Sequence, residues 1–116
     1  MSNTVGWFEV LGRDGTALQK FYSNLFGWKV EADNPMNYGM VDAGTAGIGG
    51  GIGPSQDGTA RLTFYVAVDD LQAALDKAVE LGGTVIAPPM DVPEGPSIAM
   101  FADIDGNQVG LMKSPG

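Results

Sequence analysis

Apolar and polar side chains alternate from Val5 to Leu11, with Gly6, Phe8 and Val10 on one side and Trp7, Glu9 and Leu11 on the other. That period of two predicts a half-buried strand whose Phe8 and Val10 meet a helix. From Asp14 the period lengthens. Leu18, Phe21, Tyr22 and Leu25 fall at i, i+3, i+4 and i+7, one stripe of an amphipathic helix that is expected to be core. Asp14 opens this helix as its N-cap and Gly27 closes it as a left-handed residue. Trp28–Ala32 leaves as a strand, Asp33, Asn34 and Pro35 turn the chain, and Met36–Ala43 predicts a further strand with Tyr38 and Met40 on one face.

The pattern is then written a second time. Adding 56 to the numbering takes Phe8 to Phe64, Val10 to Val66, Asp14 to Asp70, Ala17 to Ala73, Leu25 to Leu81, Gly27 to Gly83 and Val30 to Ile86. Arg61–Val68 alternates like the first strand, with Thr63, Tyr65 and Ala67 opposite Phe64, Val66 and Val68. Asp69 or Asp70 caps a helix whose stripe is Leu71, Ala74, Leu75 and Ala78, and Gly82-Gly83 ends it. Strand Thr84–Ala87 follows, then a proline-rich connector from Pro88 to Pro96 that is too broken for regular structure. Ser97–Ala102 and Gln108–Lys113 are the last strands, joined by a tight turn, Asp103-Ile104-Asp105-Gly106-Asn107.

Between the copies lies a glycine-rich run from Gly44 to Gly53. It reads either as a strand whose missing side chains let a ligand or a neighbouring backbone approach, or as a mobile loop. The strand is preferred because Ile48 and Ile52 keep the period of two. The run carries no phosphate-cradle spacing and no helical pattern follows it. Pro54–Ala60 is the one linker. The order is β-α-β-β-β, twice: an α+β fold, one domain over residues 1–116, with module one at 1–55, a linker at 54–60 and module two at 61–116. Neither half is long enough to hold a core alone.

Fourteen acidic against six basic side chains give a net charge of −8. Nucleic acid and anionic membrane surfaces are therefore poor partners, and no apolar run is long enough to span a bilayer. The N-terminal stretch has neither a basic n-region nor an apolar h-region, so no signal peptide is expected, and the absence of cysteine fits a cytoplasmic protein. The absence of histidine weighs more. It removes the commonest neutral-pH base and the commonest ligand for zinc, iron, copper or nickel. The Asp103–Asn107 turn begins like a calcium loop but lacks the third acid and the distant glutamate, so it reads as a turn.

The doubled β-α-β-β-β pattern, FYSNLFGW at the end of the first helix, LGG after the second and D-x-D-G-N before the last strand together resemble the vicinal oxygen chelate superfamily of glyoxalases, extradiol dioxygenases and bleomycin-resistance proteins. The resemblance covers nearly the whole chain. It implies two modules forming a curved mixed sheet, with helices on the outer face and a concave cavity, commonly in a homodimer. It also implies four metal-ligand positions. They fall on Trp7, on Thr63, on Gly110 and within the glycine-rich run, and none holds a ligating side chain. No metal and no cofactor are expected, and glyoxalase or dioxygenase metal chemistry is put in doubt.

Alternation places Trp7, Glu9, Thr63, Tyr65, Gln108 and Met112 on one face, with Tyr38, Met40, Ile98 and Met100 as further walls. The ligand-binding candidates are Trp7, Glu9, Tyr38, Met40, Thr63, Tyr65, Met100, Gln108 and Met112, a mainly apolar and aromatic lining with a few polar handles. Glu9 is a possible acid or base, or else reaches solvent or pairs with Arg61 or Lys29. Tyr65 donates to a substrate oxygen or is a packed ring. Trp7 stacks on a planar ligand or fills the place of a metal. The expected function is metal-free binding of an apolar or aromatic metabolite or drug between the modules. The alternatives are a metal-independent lyase, isomerase or hydrolase using Glu9, and a non-enzymatic regulatory or interaction subunit.

Overall fold

The structure, a computed structural model, describes residues 3–93 and 95–115. Met1 and Ser2 of the N-terminal stretch, Glu94 of the proline-rich connector and Gly116 lie outside the described residues. Two compact units are present: Trp7–Thr63, and Met1–Gly6 with Phe64–Gly116.

The first unit runs through β1 (Val5–Gly12, which begins in the other unit), α1 (Gly15–Phe26), β2 (Val30–Glu31), β3 (Gly39–Val41), a one-turn helix α2 (Ala43–Ala46) and β4 (Gly50–Pro54). Its strand order is β2-β3-β4-β1, with β1 parallel to β4 and the other pairs antiparallel. The second unit begins with β5 (Arg61–Val68, which starts in the first unit) and α3 (Leu71–Glu80). It continues through β6 (Thr84–Met90), β7 (Ile98–Ala102) and β8 (Gln108–Lys113), in the order β5-β8-β7-β6. Here β5 is parallel to β8 and the rest are antiparallel. The fold is mixed α+β, and apart from α2 the same β-α-β-β-β order occurs twice. No described helix is long and apolar enough to cross a membrane.

The two N-caps form as the spacing requires, whereas the C-terminal ends differ: α3 is capped at Leu81 and its left-handed residue is Gly82 at φ 106°, not Gly83. Asp14 Oδ1 accepts from the Ala17 N–H and Asp70 Oδ1 from the Ala73 N–H, each at 3.0 Å. Gly27 sits at φ 74° and donates its N–H to Ser23 O at 2.8 Å, and Gly83, 56 residues on, donates to Ala78 O at 2.8 Å. A backbone at that φ is open to glycine at little cost.

The helices bury the same two positions. In α3 they are Leu71 and Leu75, packed with Val68, Ala99 and Leu111. In α1 they are Gly15 and Gln19. Subtracting 56 from the α3 stripe gives Gly15, Leu18, Gln19 and Tyr22, and this is the face that α1 turns to its sheet. The stripe expected from α1 alone is therefore corrected: Phe21 and Leu25 are exposed, at 60% and 59%, while Leu18 and Tyr22 pack beside Val10, Val41 and Ile52. A polar residue holds the central core position, which hides the true face from a hydrophobicity count. Gln19 is buried because its Nε2 donates to Ile52 O at 2.8 Å and to Asn37 O at 2.9 Å, tying α1 to β4 and to the loop before β3.

Three further expectations are corrected. Phe64, which the match to Phe8 predicts on the helix side, is 44% exposed, and of Phe64 and Val66 only Val66 packs against α3's cluster. The glycine-rich run is a strand only in its second half. Ala43–Ala46 coil into α2, Asp42 O accepting from Thr45 and Ala46, and Ile48 stands exposed before β4 begins. The connector was expected to be irregular from Pro88, yet β6 continues through Pro88 and Pro89 to Met90. The second of two register shifts against β7, between Ala87 and Met90, spans them, and β6 is the last strand in the order, where a missing N–H breaks no second ladder.

The turn before β8 forms as expected. Asp103 Oδ1 accepts from the N–H groups of Asp105 and Asn107, both at 2.9 Å, and Ile104 points outward at 77% exposure.

Replacing Gln19 by Leu, the residue α3 holds at that place, is expected to destabilise the protein by about 2 kcal/mol in urea titration. The carbonyl of Ile52 loses its donor in a dry place. At Asp103, hydrogen bonds from the Asn107 side chain and then from its backbone N–H hold the carboxyl below the usual carboxylate range. A depressed folded-state value means that stability is present above the ordinary carboxylate range and is lost as pH falls through the depressed value. Asp103→Asn is expected to unfold at lower urea than the parent at neutral pH. The two midpoints should converge in acid, once the pH is below the depressed value of Asp103.

Candidate functional site

The side of β1 turned away from α1 carries Trp7 and Glu9. The β1–β4 register sets Glu9 beside Gly51, and the β3–β4 register sets Met40 against the same Gly51, so Glu9, Met40 and Gly51 share a face. Tyr38, just before β3, reaches across it. Trp7 Nε1–H donates to Tyr38 Oη at 3.0 Å, and Tyr38 O–H donates to Glu9 Oε2 at 2.7 Å. An indole N–H can only donate and a carboxylate only accept, so this chain has one direction, from Trp7 through Tyr38 to Glu9.

The glycine-rich run makes that chain possible. A Cβ built on Gly51 would fall inside the Tyr38 ring, and one on Gly49 would stand 2.9 Å from Trp7 Cζ3. On the opposite face a Cβ on Gly50 would fall inside the Phe8 ring. The missing side chains make room for aromatic rings of the same unit, one on the helix side and two on the open side. A ligand or a neighbouring backbone is what the sequence leads one to expect here; the groups that take the space are instead the side chains of Trp7, Phe8 and Tyr38.

The second unit repeats the device once. Tyr65 pairs with Gly110 across β5 and β8, and a Cβ on Gly110 would fall inside the Tyr65 ring, which is 7% exposed. Met100 pairs with Gly110 and Ile98 with Met112, so Tyr65, Ile98, Met100 and Met112 share a face of this unit, with half-buried Gln108 two residues before Gly110. Thr63 is 8% exposed between the exposed Leu62 and Phe64, and its Oγ1 has no hydrogen-bond partner among the described residues. Of the candidates, Trp7, Glu9 and Tyr38 are joined by hydrogen bonds with Met40 alongside, all in the first unit, and Tyr65, Met100, Gln108 and Met112 belong to the second unit. Arg61, one imagined partner of Glu9, pairs with Asp57 at 3.5 Å.

A family model described as a glyoxalase-like domain matches residues 9–112. The chain belongs to the glyoxalase-like family. It is 32% identical over 120 residues to CFP32, a protein provisionally named a glyoxylase, in Mycobacterium bovis and in Mycobacterium tuberculosis. The match takes in 96% of this chain and 46% of CFP32, so the chain spans about half the length of these relatives. Among solved structures, a glyoxalase/bleomycin resistance protein/dioxygenase superfamily member from Vibrio splendidus superposes with a TM-score of 0.68 at 14% identity, covering 97% of this chain and 100% of that one. The Mn(II)-bound glyoxalase of Novosphingobium aromaticivorans gives 0.67 at 18% identity, covering 97% and 40%. Likeness at these identities is a likeness of fold.

The glyoxalase-like fold implies a divalent metal in its metal-dependent members, and the residues here do not fit one. At the four implied positions stand an indole that donates its only polar hydrogen to Tyr38, a single neutral hydroxyl on Thr63, and glycines whose side-chain space is taken by Tyr38 and Tyr65. A hard cation needs several oxygen ligands with charge among them. Among the described residues no group of three or more His, Cys, Asp or Glu could hold an ion.

Sequence reasoning found Trp7, Glu9 and Tyr38 but not their connection, nor the part played by Gly49, Gly51 and Gly110. The signal was present as consecutive glycines, Gly49 to Gly51, entering β4, and as Gly110 set opposite Tyr65. In a double-mutant cycle, Tyr38→Phe and Glu9→Gln are expected each to lower stability and to couple by about 1 kcal/mol, as groups in one hydrogen-bonded chain do. Urea unfolding of the four proteins measures it.

Proposed function

We propose that this glyoxalase-like protein binds a small apolar or aromatic molecule without a metal, on the face that carries Trp7, Glu9 and Tyr38. The observation that supports the reading best is the filling of the implied metal positions by a built aromatic structure. Trp7 and Tyr38 stand on Gly49 and Gly51 and are fixed to Glu9 by bonds of 3.0 and 2.7 Å. Rings held in place present planar area at low entropic cost, and a carboxylate beside them gives orientation to a ligand that carries a hydrogen-bond donor. The net charge of −8 favours neutral or cationic ligands over anionic ones. The glyoxylase name belongs to CFP32, whose length this chain half spans.

A second reading has one observation in its favour. The 2.7 Å contact between the Tyr38 hydroxyl and Glu9 Oε2 fixes a carboxylate next to a phenol, and such a pair can take and return a proton in a metal-independent lyase, isomerase or hydrolase reaction.

Two measurements separate these readings from metal chemistry and from each other. Chelator treatment should leave the melting temperature unchanged within about 1 °C, whereas losing an ion held at a hundred times its Kd would remove about 2.7 kcal/mol. Native mass spectrometry of the protein from cells should show a retained small molecule. For that molecule, Glu9→Gln lowers affinity by no more than about tenfold in a binder and abolishes turnover in an enzyme. Stoichiometric zinc, manganese or iron would overturn both.

A further inference from the structure

We infer that a groove lined by α1, the end of β1 and the start of β5 is a second binding site, for a small amphipathic monoanion, a carboxylate on an apolar body. The groove lies within the first unit and holds about 670 Å³. Leu18, Phe21, Tyr22 and Leu62 are among its walls, together with Arg13 and Arg61. That volume is in the range of small-molecule sites, and a mainly apolar lining with a few charged groups is their usual make-up. Phe21 and Leu62 are large, apolar and exposed, so a ligand laid on them removes apolar surface from water. None of these residues belongs to the chain of Trp7, Tyr38 and Glu9, and this site goes beyond the function proposed above.

The duplication shows that the fold does not ask for this lining. Adding 56 takes the cap Asp14 to Asp70, the same residue, but Arg13 to Asp69, Leu18 to Ala74, Phe21 to Lys77 and Tyr22 to Ala78. The second unit makes its helix with the same cap while the apolar wall is gone and the charge before the cap is reversed. Charge selects the occupant. The chain has six basic residues against fourteen acidic ones, and two of the six line this one groove. Arg61 pairs with Asp57 at 3.5 Å. Asp14 also lines the groove, but its Oδ1 accepts the Ala17 N–H of the cap. Arg13 has no hydrogen-bond or ion-pair partner among the described residues. One unanswered guanidinium beside an apolar wall fits one carboxylate, whose two oxygens match its fork. A phosphate monoester would bring nearly two negative charges to a groove that already holds acids, on a chain whose net charge opposes it.

Titration of the protein's amide chemical shifts with phenylbutyrate, and with its neutral analogue phenylbutanamide, tests this. The carboxylate should bind with a Kd below about a millimolar, the amide at least about tenfold more weakly. The shifts should centre on Arg13, Phe21 and Leu62. Arg13→Gln should bring the carboxylate down to the affinity of the amide, a loss of about tenfold for one charge-assisted hydrogen-bonded contact at a partly open site. Phe21→Ser should weaken both probes, and Leu62→Ser, on another element, should do the same if the helix variant folds poorly. Lys20→Gln, an exposed cation on α1 outside the groove, should leave the affinity within about twofold. The inference is overturned if the parent chain binds neither probe or both equally, or if the preference survives Arg13→Gln or is lost with Lys20→Gln. Binding that ignores both Phe21→Ser and Leu62→Ser overturns it too, as do shifts that centre on Trp7 and Tyr38.

Discussion

Everything on the open face of the first unit depends on side chains that β4 does not have. Strands rarely hold glycines in succession, because each weakens the ladder and adds unfolded-state entropy, yet Gly49 leads directly into β4, which opens with Gly50 and Gly51. Here the space is used at once. Phe8 takes the helix side, Trp7 and Tyr38 take the other, and only because the Tyr38 ring can lie on Gly51 does its hydroxyl come between Trp7 and Glu9. Tyr65 on Gly110 repeats the arrangement in the second unit. The aromatic rings and the glycines form one constraint. Neither makes sense alone.

That constraint bears on function through the glyoxalase-like family to which the chain belongs. The resemblance to the vicinal oxygen chelate superfamily implies metal-ligand positions on these strands. In this chain they hold rings, a hydroxyl and bare backbone. A scaffold can keep its architecture while the chemistry of its central face changes, because the helices, caps and turns that set the architecture lie elsewhere. Asp14 and Asp70 cap helices and Asp103 closes a turn, and none of them takes part in the bonds that join Trp7, Tyr38 and Glu9.

Much of this was legible in the residues. The duplication, both aspartate caps, Gly27 at the end of α1 and the strand alternation of β1 all follow from local rules, and each is found where the rules place it. The misread parts share a cause: in each, a tertiary partner outweighs local preference. Gln19 is buried because two carbonyls need its amide, so an apolar count assigned the stripe of α1 about a sixth of a turn away. Pro88 and Pro89 enter β6 because an end strand can do without their hydrogen bonds. The candidate site was legible as a set of residue types on one face. Its wiring was not, since the reach of Tyr38 across β4 depends on pairing between β1, β3 and β4 that no local pattern encodes.

The most direct measurement is the stability of Gly51→Ala, alone and combined with Tyr38→Ala. One added methyl group should cost about 2 kcal/mol while the ring is present, and close to nothing once the ring is removed. If Gly51→Ala proves neutral in the parent chain, or costs the same with and without Tyr38, the ring does not rest on that glycine and the site described above does not exist.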